Sequence, residues 1–571
     1  MRARHVTSEK EYRTPFGAAQ LGGVVTLGID IWDDDVTFCT LRVWTDAHGE
    51  QLIEMKGTSA GDHLHFSVDY KPAETGVVWY SFDIEASDGA VWRYGAKPGW
   101  TTGEGAFAYG DPPSFQITVF EPRATQPDWY KKGIVYQVFP DRFARGEGWR
   151  EQAEAALAAH RNGPERVLVE DWDTAPTYKR KSETDLGIAR WDFYGGTLEG
   201  IREKLGYLKG LGVTVIYLNP IFEAQSNHRY DTADYLHIDP MLGTEKDFGR
   251  LCDEAAEMGI SVILDGVWNH CGRDSVYFNR DENYPGPGAW QAHEDGVESP
   301  YADWFTFNED GTYAGWWGNQ DMPSYRDDCE AFHELVCGKD GVVRKWLRAG
   351  ARGWRMDVAD ELTDEFIAQI KAAAVAEKDD SVLIGEVWED ASNKLAYGNL
   401  RQYFQGKELD GVMNYPLRTG LLDYVCGHIG ADELAARLEQ LRENYPRDAF
   451  YSSLNLLGSH DRERLYTVLG NAPDPDSMTE DERETFRLDE GQASLAMSRL
   501  WLTVLLQMTL PGVPCVYYGD ELGLEGLRDP YNRATFPWGG GRRDCFNIFR
   551  NAIAIRKTLP VLTDGEFEPF S

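Results

Sequence analysis

Gly353-Trp354-Arg355-Met356-Asp357-Val358 sets an acid two residues after a base inside a short apolar run. Side chains two apart on a strand share a face, so Arg355 and Asp357 are expected to pair. A buried carboxylate beside a fixed cation stays ionised at neutral pH, which is the state a carboxylate nucleophile needs. Taken alone, the pair reads first as a structural ion bridge. It does not stand alone, because other chemistry-bearing side chains close comparable runs: Asp265-Gly266-Val267-Trp268-Asn269-His270, Gly385-Glu386-Val387-Trp388 and Gly458-Ser459-His460-Asp461. Brought together, Asp357, Glu386, Asp461, His270 and His460 make a polar cluster that a packed core does not tolerate without a use for it. Cys271, beside His270, raises the idea of a thiol nucleophile, which nothing else in the sequence supports.

The elements that must position these groups are visible as apolar, strand-like runs alternating with helical ones. The runs are Ile134 to Phe139, Val213 to Leu218, Val262 to Leu264, Gly353 to Val358, Val382 to Val387, Gly411 to Asn414, Ser453 to Leu457 and Cys515 to Tyr518. Between them lie apolar stripes at helical spacing: Ile201, Leu205 and Leu208; Phe248, Leu251, Cys252, Ala255 and Met258; Leu434, Leu438 and Leu441. Eight strands separated by helices are the count of a (β/α)8 barrel, and a doubly wound sheet is the alternative on pattern alone. In a barrel the C-terminal strand ends share one mouth, which would gather the cluster. Two segments interrupt the alternation, about 145 to 190 and 271 to 336, and the second is rich in Gly, Asp, Tyr and Trp. A loop of that length is usually functional.

Residues 1–124 read as a separate all-β sandwich. Val25, Leu27, Ile29 and Ile31 alternate at a strand period, as do Val78, Tyr80, Phe82 and Ile84, and Asp88-Gly89 then marks a hairpin into Ala90-Val91-Trp92. Thr125-Gln126-Pro127-Asp128-Trp129 reads as a linker to residues 130–560. With 94 acidic and 57 basic residues the net charge is -37, which disfavours nucleic acid and anionic lipid as partners. No apolar run is long enough for a membrane span and no apolar leader follows Met1. Eight scattered cysteines without a C-x-x-C fit reduced thiols, so a cytoplasmic protein is expected.

The stretches ending in Asn269-His270, Arg355-x-Asp357, Glu386 and His460-Asp461 resemble the four signature regions of the α-amylase family of glycoside hydrolases, in order and on matching strands. The likeness runs from about residue 130 to 560. It is nearest to the neopullulanase, cyclomaltodextrinase and maltogenic amylase group at Tyr136 to Phe143, Ser226 to Asp231, Val412 to Pro416 and Tyr518 to Gly523. The resemblance implies a TIM barrel with an N-terminal β domain, and 271–336 as an inserted loop domain. It implies a retaining α-glucan hydrolase working through a covalent glycosyl-aspartate. Asp357 would be the nucleophile and Glu386 the acid and base, starting out protonated as neighbouring carboxylates favour. Asp461 would stabilise the transition state. His270, His460 and Arg355 would hold the sugar and the nucleophile, Tyr230 would lie beneath the sugar, and Asp529 and Arg533 would meet the next sugar on the non-reducing side. Trp388 is placed to line the acceptor side, with a core tryptophan as the other reading.

The resemblance further implies a homodimer through the N-terminal domain and no obligatory metal or cofactor, although Asn269 stands at a calcium-ligand position of the wider family. Two departures bear on substrate choice: Met322-Pro323-Ser324-Tyr325-Arg326 where the group shows Met-Pro-x-Leu-Asn, and Glu389 where a His is common. After the last helix, expected at Cys545 to Leu559, residues 561–571 are too few for the family's C-terminal β domain, so that domain is expected to be missing, by truncation or in a natural short form. An exo-acting α-glucosidase and a catalytically silent glycan-binding relative remain the alternatives, the latter disfavoured by the presence of all three acids.

Overall fold

The computed structural model describes residues 1–569 except 34, 123–126 and 183–186; Thr125 and Gln126 of the expected linker therefore lie outside the described residues. Eight short parallel strands form one sheet: β1 Val135–Val138, β2 Val215–Leu218, β3 Ser261–Gly266, β4 Gly353–Met356, β5 Val382–Gly385, β6 Gly411–Val412, β7 Leu454–Leu456 and β8 Val513–Tyr517. Their order is β6-β5-β4-β3-β2-β1-β8-β7, and a parallel bridge between Met413 and Leu454 joins the two outer members. That closure decides for the barrel over the doubly wound sheet.

The strands are buried on both faces, which is why they read as continuous apolar runs. Alternate residues serve two cores. Val135, Val215, Tyr217, Ile263, Val382, Ile384, Leu454 and Val513 fill the barrel interior, while Tyr136, Val138, Ile216, Leu218, Val262 and Leu264 pack against the surrounding helices. The helical stripes are where the spacing puts them, with one break: Ile201 belongs to helix Leu198–Glu203 and Leu205 and Leu208 to helix Leu205–Leu211, divided at Lys204. Phe248, Leu251, Cys252 and Ala255 line the buried face of helix Glu245–Glu257, whose start is fixed by reciprocal bonds between Thr244 and Asp247.

Both interruptions are structured. After β1, helix Trp149–Ala159 precedes a small sheet of Glu165–Leu168, Lys179–Arg180 and Ile188–Phe193. After β3, segment 271–336 carries helices Ala289–Asp295 and Glu330–Cys337 around an aromatic core in which Tyr325 stacks on Phe332 at 3.7 Å. The sequence reading of this segment as a loop missed both helices: Ala289–Asp295 is one short stretch with Ala289 as its buried residue, and the Phe332 and Val336 stripe of Glu330–Cys337 lies at the very end of the segment.

The N-terminal residues form two sheets, antiparallel except where Ala19–Gln20 runs parallel to Phe115–Phe120, around Leu27, Ile29, Leu41, Tyr80, Phe82, Ile84 and Phe115. The expected hairpin is present: strand Gly76–Ala86 turns at Gly89, with φ +83°, into Val91–Gly95. This layer meets the barrel at helix Ala431–Asn444, where the buried Arg13 guanidinium pairs with Glu443 at 2.5 Å and Thr7 donates to the same carboxylate at 2.6 Å.

Candidate active site

β4 stops at Met356, so Asp357 stands just past the strand rather than within it. Its backbone N–H still donates to Gly266 O at the end of β3, at 3.0 Å, which holds it at the mouth of the barrel. Val358 then takes a left-handed conformation, φ 37° and ψ 58°, which a β-branched residue adopts only under strain. The turn aims the Val358 N–H at Glu386 Oε2, 2.9 Å away. The pairing of Arg355 with Asp357 expected from strand geometry is present at 3.0 Å even though the strand has ended.

Arg355 is fully buried and serves three acids. One terminal nitrogen meets Asp265 Oδ1 at 2.8 Å and Asp357 Oδ1 at 3.0 Å, and the other meets Glu386 Oε2 at 2.9 Å. Asp357 and Glu386 therefore sit on neighbouring nitrogens of a single planar cation. Burial pushes the Asp357 carboxyl well up, and the Arg355 charge pulls it back down. Arg355 thus does not hold Asp357 ionised as simply as the sequence pairing suggests, because its one positive charge is divided among three acids.

Asp265, which the sequence flagged only as a strand end, also accepts from Tyr217 at 2.5 Å and Tyr230 at 2.8 Å. Tyr217 was missed altogether; it lies inside an apolar run that reads as core. Asp265 anchors the Arg355 cation from below, and Tyr230 links that anchor to the histidine side. The Tyr230 ring stacks on His460 at 5.1 Å with planes 5° apart, and its hydroxyl lies 2.6 Å from His460 Nε2. Gln137 donates to His460 Nδ1 at 2.9 Å, which leaves the proton on Nε2, 3.0 Å from Asp461 Oδ2. Burial and the nearby arginines Arg533 and Arg355 hold His460 well below its usual range, and burial takes His270 down to about 4, so both rings are neutral. Burial, with Glu386 adding repulsion, raises Asp461 to about 7.

Asp357, Glu386, Asp461, Tyr230, His270, His460, Asp529 and Arg533 all line one cleft of about 660 Å³ at the barrel mouth. Arg533 lies 3.5 Å from Asp461 and 2.9 Å from Asp529. Beside Glu386, Trp388 is 40% exposed, stacks on Tyr415 at 4.1 Å and donates to Glu386 Oε1 at 3.2 Å, so it is a cleft residue and not core. Glu389 pairs with Lys394, which also meets Asp360 at 3.0 Å on that rim. Of the Met322-to-Arg326 departure, Met322 reaches the cleft, whereas Tyr325 is buried in the inserted segment and Arg326 pairs with exposed Asp328. Cys271 is buried, its thiol is raised to about 12, and Ser275 donates to it; the arrangement offers no thiolate. Asn269 spends its side chain on His270 at 3.2 Å and Glu361 O at 3.4 Å. Among the described residues, a close group of ion-ligating side chains occurs at Glu11, Asp30 and His65 in the N-terminal layer, not in the cleft.

Residues 137–558 match the family described as alpha amylase, catalytic domain. The chain belongs to the alpha-amylase family of glycoside hydrolases. It is 36% identical over 601 residues to an amylopullulanase of Thermoanaerobacterium saccharolyticum, covering 99% of this chain and 45% of that protein, so the chain spans less than half of that relative. It is 33% identical to neopullulanase 2 of Thermoactinomyces vulgaris over 454 residues, 77% of this chain and 65% of that one. Among solved structures, the type III pullulan hydrolase from Thermococcus kodakarensis is 27% identical, with a TM-score of 0.65 over 99% of this chain and 89% of that chain. The relatives thus include the expected neopullulanase group and, beside it, amylopullulanases, within which the alpha-amylase barrel is part of a longer protein.

Proposed function

We propose that this alpha-amylase domain hydrolyses α-1,4 bonds of maltodextrins, cyclodextrins or pullulan, with α-1,6 bonds as a second class, and retains the anomeric configuration. The observation that carries the reading is the sharing of one buried guanidinium by Asp357 and Glu386. A retaining pair works with its carboxyls about 5–5.5 Å apart, too close for a water between nucleophile and sugar. Glu386 gives its proton to the glycosidic oxygen while Asp357 attacks the anomeric carbon, so the C–O bond to the leaving chain breaks and an ester to Asp357 forms. Glu386, now a carboxylate, takes a proton from water, the water oxygen displaces Asp357, and the two inversions restore the starting configuration. Asp461 and neutral His460 are placed to bond the ring hydroxyls as positive charge develops, and Trp388 steadies Glu386 beside the acceptor.

The deciding experiment compares wild type with Asp357→Asn on maltotriose, β-cyclodextrin and pullulan, following the first-formed anomer by NMR. Turnover giving the α-anomer, abolished in the variant, is expected. The β-anomer as first product overturns retention, and binding without turnover by the wild type favours a silent glycan-binding protein. Catalysis is proposed to need no metal, supported by the engagement of the Asn269 side chain within the protein; loss of activity in EDTA overturns this. A homodimer through the N-terminal layer is proposed on the exposed Phe38, Trp44 and Leu52 of the paired strands Val36–Thr45 and Gly49–Glu54, and a sedimentation mass near 64.5 kDa would count against it. The free state of all eight cysteines fits a reducing, cytoplasmic setting.

A further inference from the structure

We infer that Tyr178, carried by the segment inserted after β1, limits how many glucosyl units the cleft accepts on its non-reducing side. The inference rests on the α-glucan hydrolase reading above and on Asp529 and Arg533 facing that side. From the catalytic carboxylates a chain of contacts leads outward: Asp461 to Arg533 at 3.5 Å, Arg533 to Asp529 at 2.9 Å, and Tyr178 donating to Asp529 at 2.5 Å. Tyr178 lines the same cleft and is reached from Asp461 through Arg533 and Asp529, whereas Trp388 is reached through Glu386. On this reading one sugar would sit at the catalytic acids and one at Asp529 and Arg533, and a third would meet the tyrosine ring.

The ring is held in place from three directions. Its edge packs on Trp191 at 6.1 Å, and Trp191 packs in turn on the cleft residue His228 at 5.1 Å. The strand Lys179–Arg180 begins immediately after it and pairs with Ile188–Phe193. Six residues earlier, Trp172 donates to Phe536 O at 2.8 Å and accepts from Thr535 at 2.5 Å, tying the segment to the loop after β8 that carries Asp529 and Arg533. Wall and sugar-facing acid are therefore fastened together. Tyr178 also occupies part of the Asp529 carboxylate, so a sugar hydroxyl there shares that acceptor with the phenol.

The test is the cleavage pattern on maltotetraose to maltohexaose labelled at the reducing end. The wild type is expected to cut mainly at the second bond from the non-reducing end, releasing unlabelled maltose. Tyr178→Ala should move cleavage inward, raising the share of unlabelled maltotriose and longer pieces several-fold. Tyr178→Phe keeps the ring and should keep the wild-type pattern while changing KM, since it frees Asp529; it also shows that the segment tolerates substitution. An unchanged bond pattern in the alanine variant overturns the inference and leaves the hydrolase reading standing. No hydrolysis of any of these oligosaccharides by the wild type overturns both.

Discussion

Arg355 illustrates how much of this site is decided atom by atom. One cation is shared by Asp265, Asp357 and Glu386, and burial raises the Asp265 and Asp357 carboxyls, with the neighbouring acids adding to the rise at Asp357. Glu386→Gln should lose about 10²- to 10⁴-fold in kcat on maltotriose, the usual worth of a positioned general acid. The loss should be far smaller on an aryl α-glucoside whose leaving group needs no proton; equal losses on both substrates would remove the acid role. Asp461 supplies the pH prediction. Its folded value of about 7 lies above the ordinary 3.8, so between those limits the folded protein keeps a proton that the unfolded chain has released. Stability from this group is therefore lost as pH rises through that window. Asp461→Asn cannot titrate, and its advantage over wild type should grow by about 1–2 kcal/mol between pH 5 and 8 in urea unfolding. A constant difference across that range would show that Asp461 is not raised.

At the scale of elements, the end of β4 does the positioning. Val358 pays for the turn with its left-handed backbone, and in return its N–H reaches Glu386 while Asp357 stays beside Arg355. Such a conformation costs a β-branched residue about 1–3 kcal/mol, more than the flexibility a glycine adds to the unfolded chain. Val358→Gly is accordingly expected to raise the melting temperature by a few degrees, with the hydrogen bond to Glu386 intact and the KM for maltotriose little changed. A lower melting temperature would mean that the valine side chain contributes more by packing than it costs in strain. The strand itself was legible, since Gly353 to Met356 is uniformly apolar but for Arg355. Its early end was not, because nothing local distinguishes a strand residue at 357 from a turn residue whose register is fixed by Gly266 on the neighbouring strand.

For the molecule as a whole, the Arg13–Glu443 pair is the buried charge contact between the N-terminal layer and the barrel described above. Burial raises Glu443 to about 7, opposed by Arg13. Arg13→Met removes that opposition and raises Glu443 further, so at pH 8 the folded variant must hold a proton that the unfolded chain has released, at a cost of about 3–5 kcal/mol. The cost should shrink at pH 5, where the carboxyl takes up a proton. Calorimetry at the two pH values checks this, and an equal loss at both would assign the effect to packing alone.

The sequence by itself determined the barrel's alternation, the all-β N-terminal layer and which acids are candidates at the strand ends. Those features are written in local periodicity and in short apolar runs ending in Asp, Glu and His, which need no knowledge of what lies across the fold. Tertiary structure alone decided that the outer strands close at Met413 and Leu454, that Tyr217 and Asp265 sit beneath Arg355, and that Tyr178 meets Asp529 across 351 positions of chain. Each of these is a pairing between side chains whose own neighbourhoods are unremarkable. Local pattern records which residues face inward, and only the closed barrel records which of them meet.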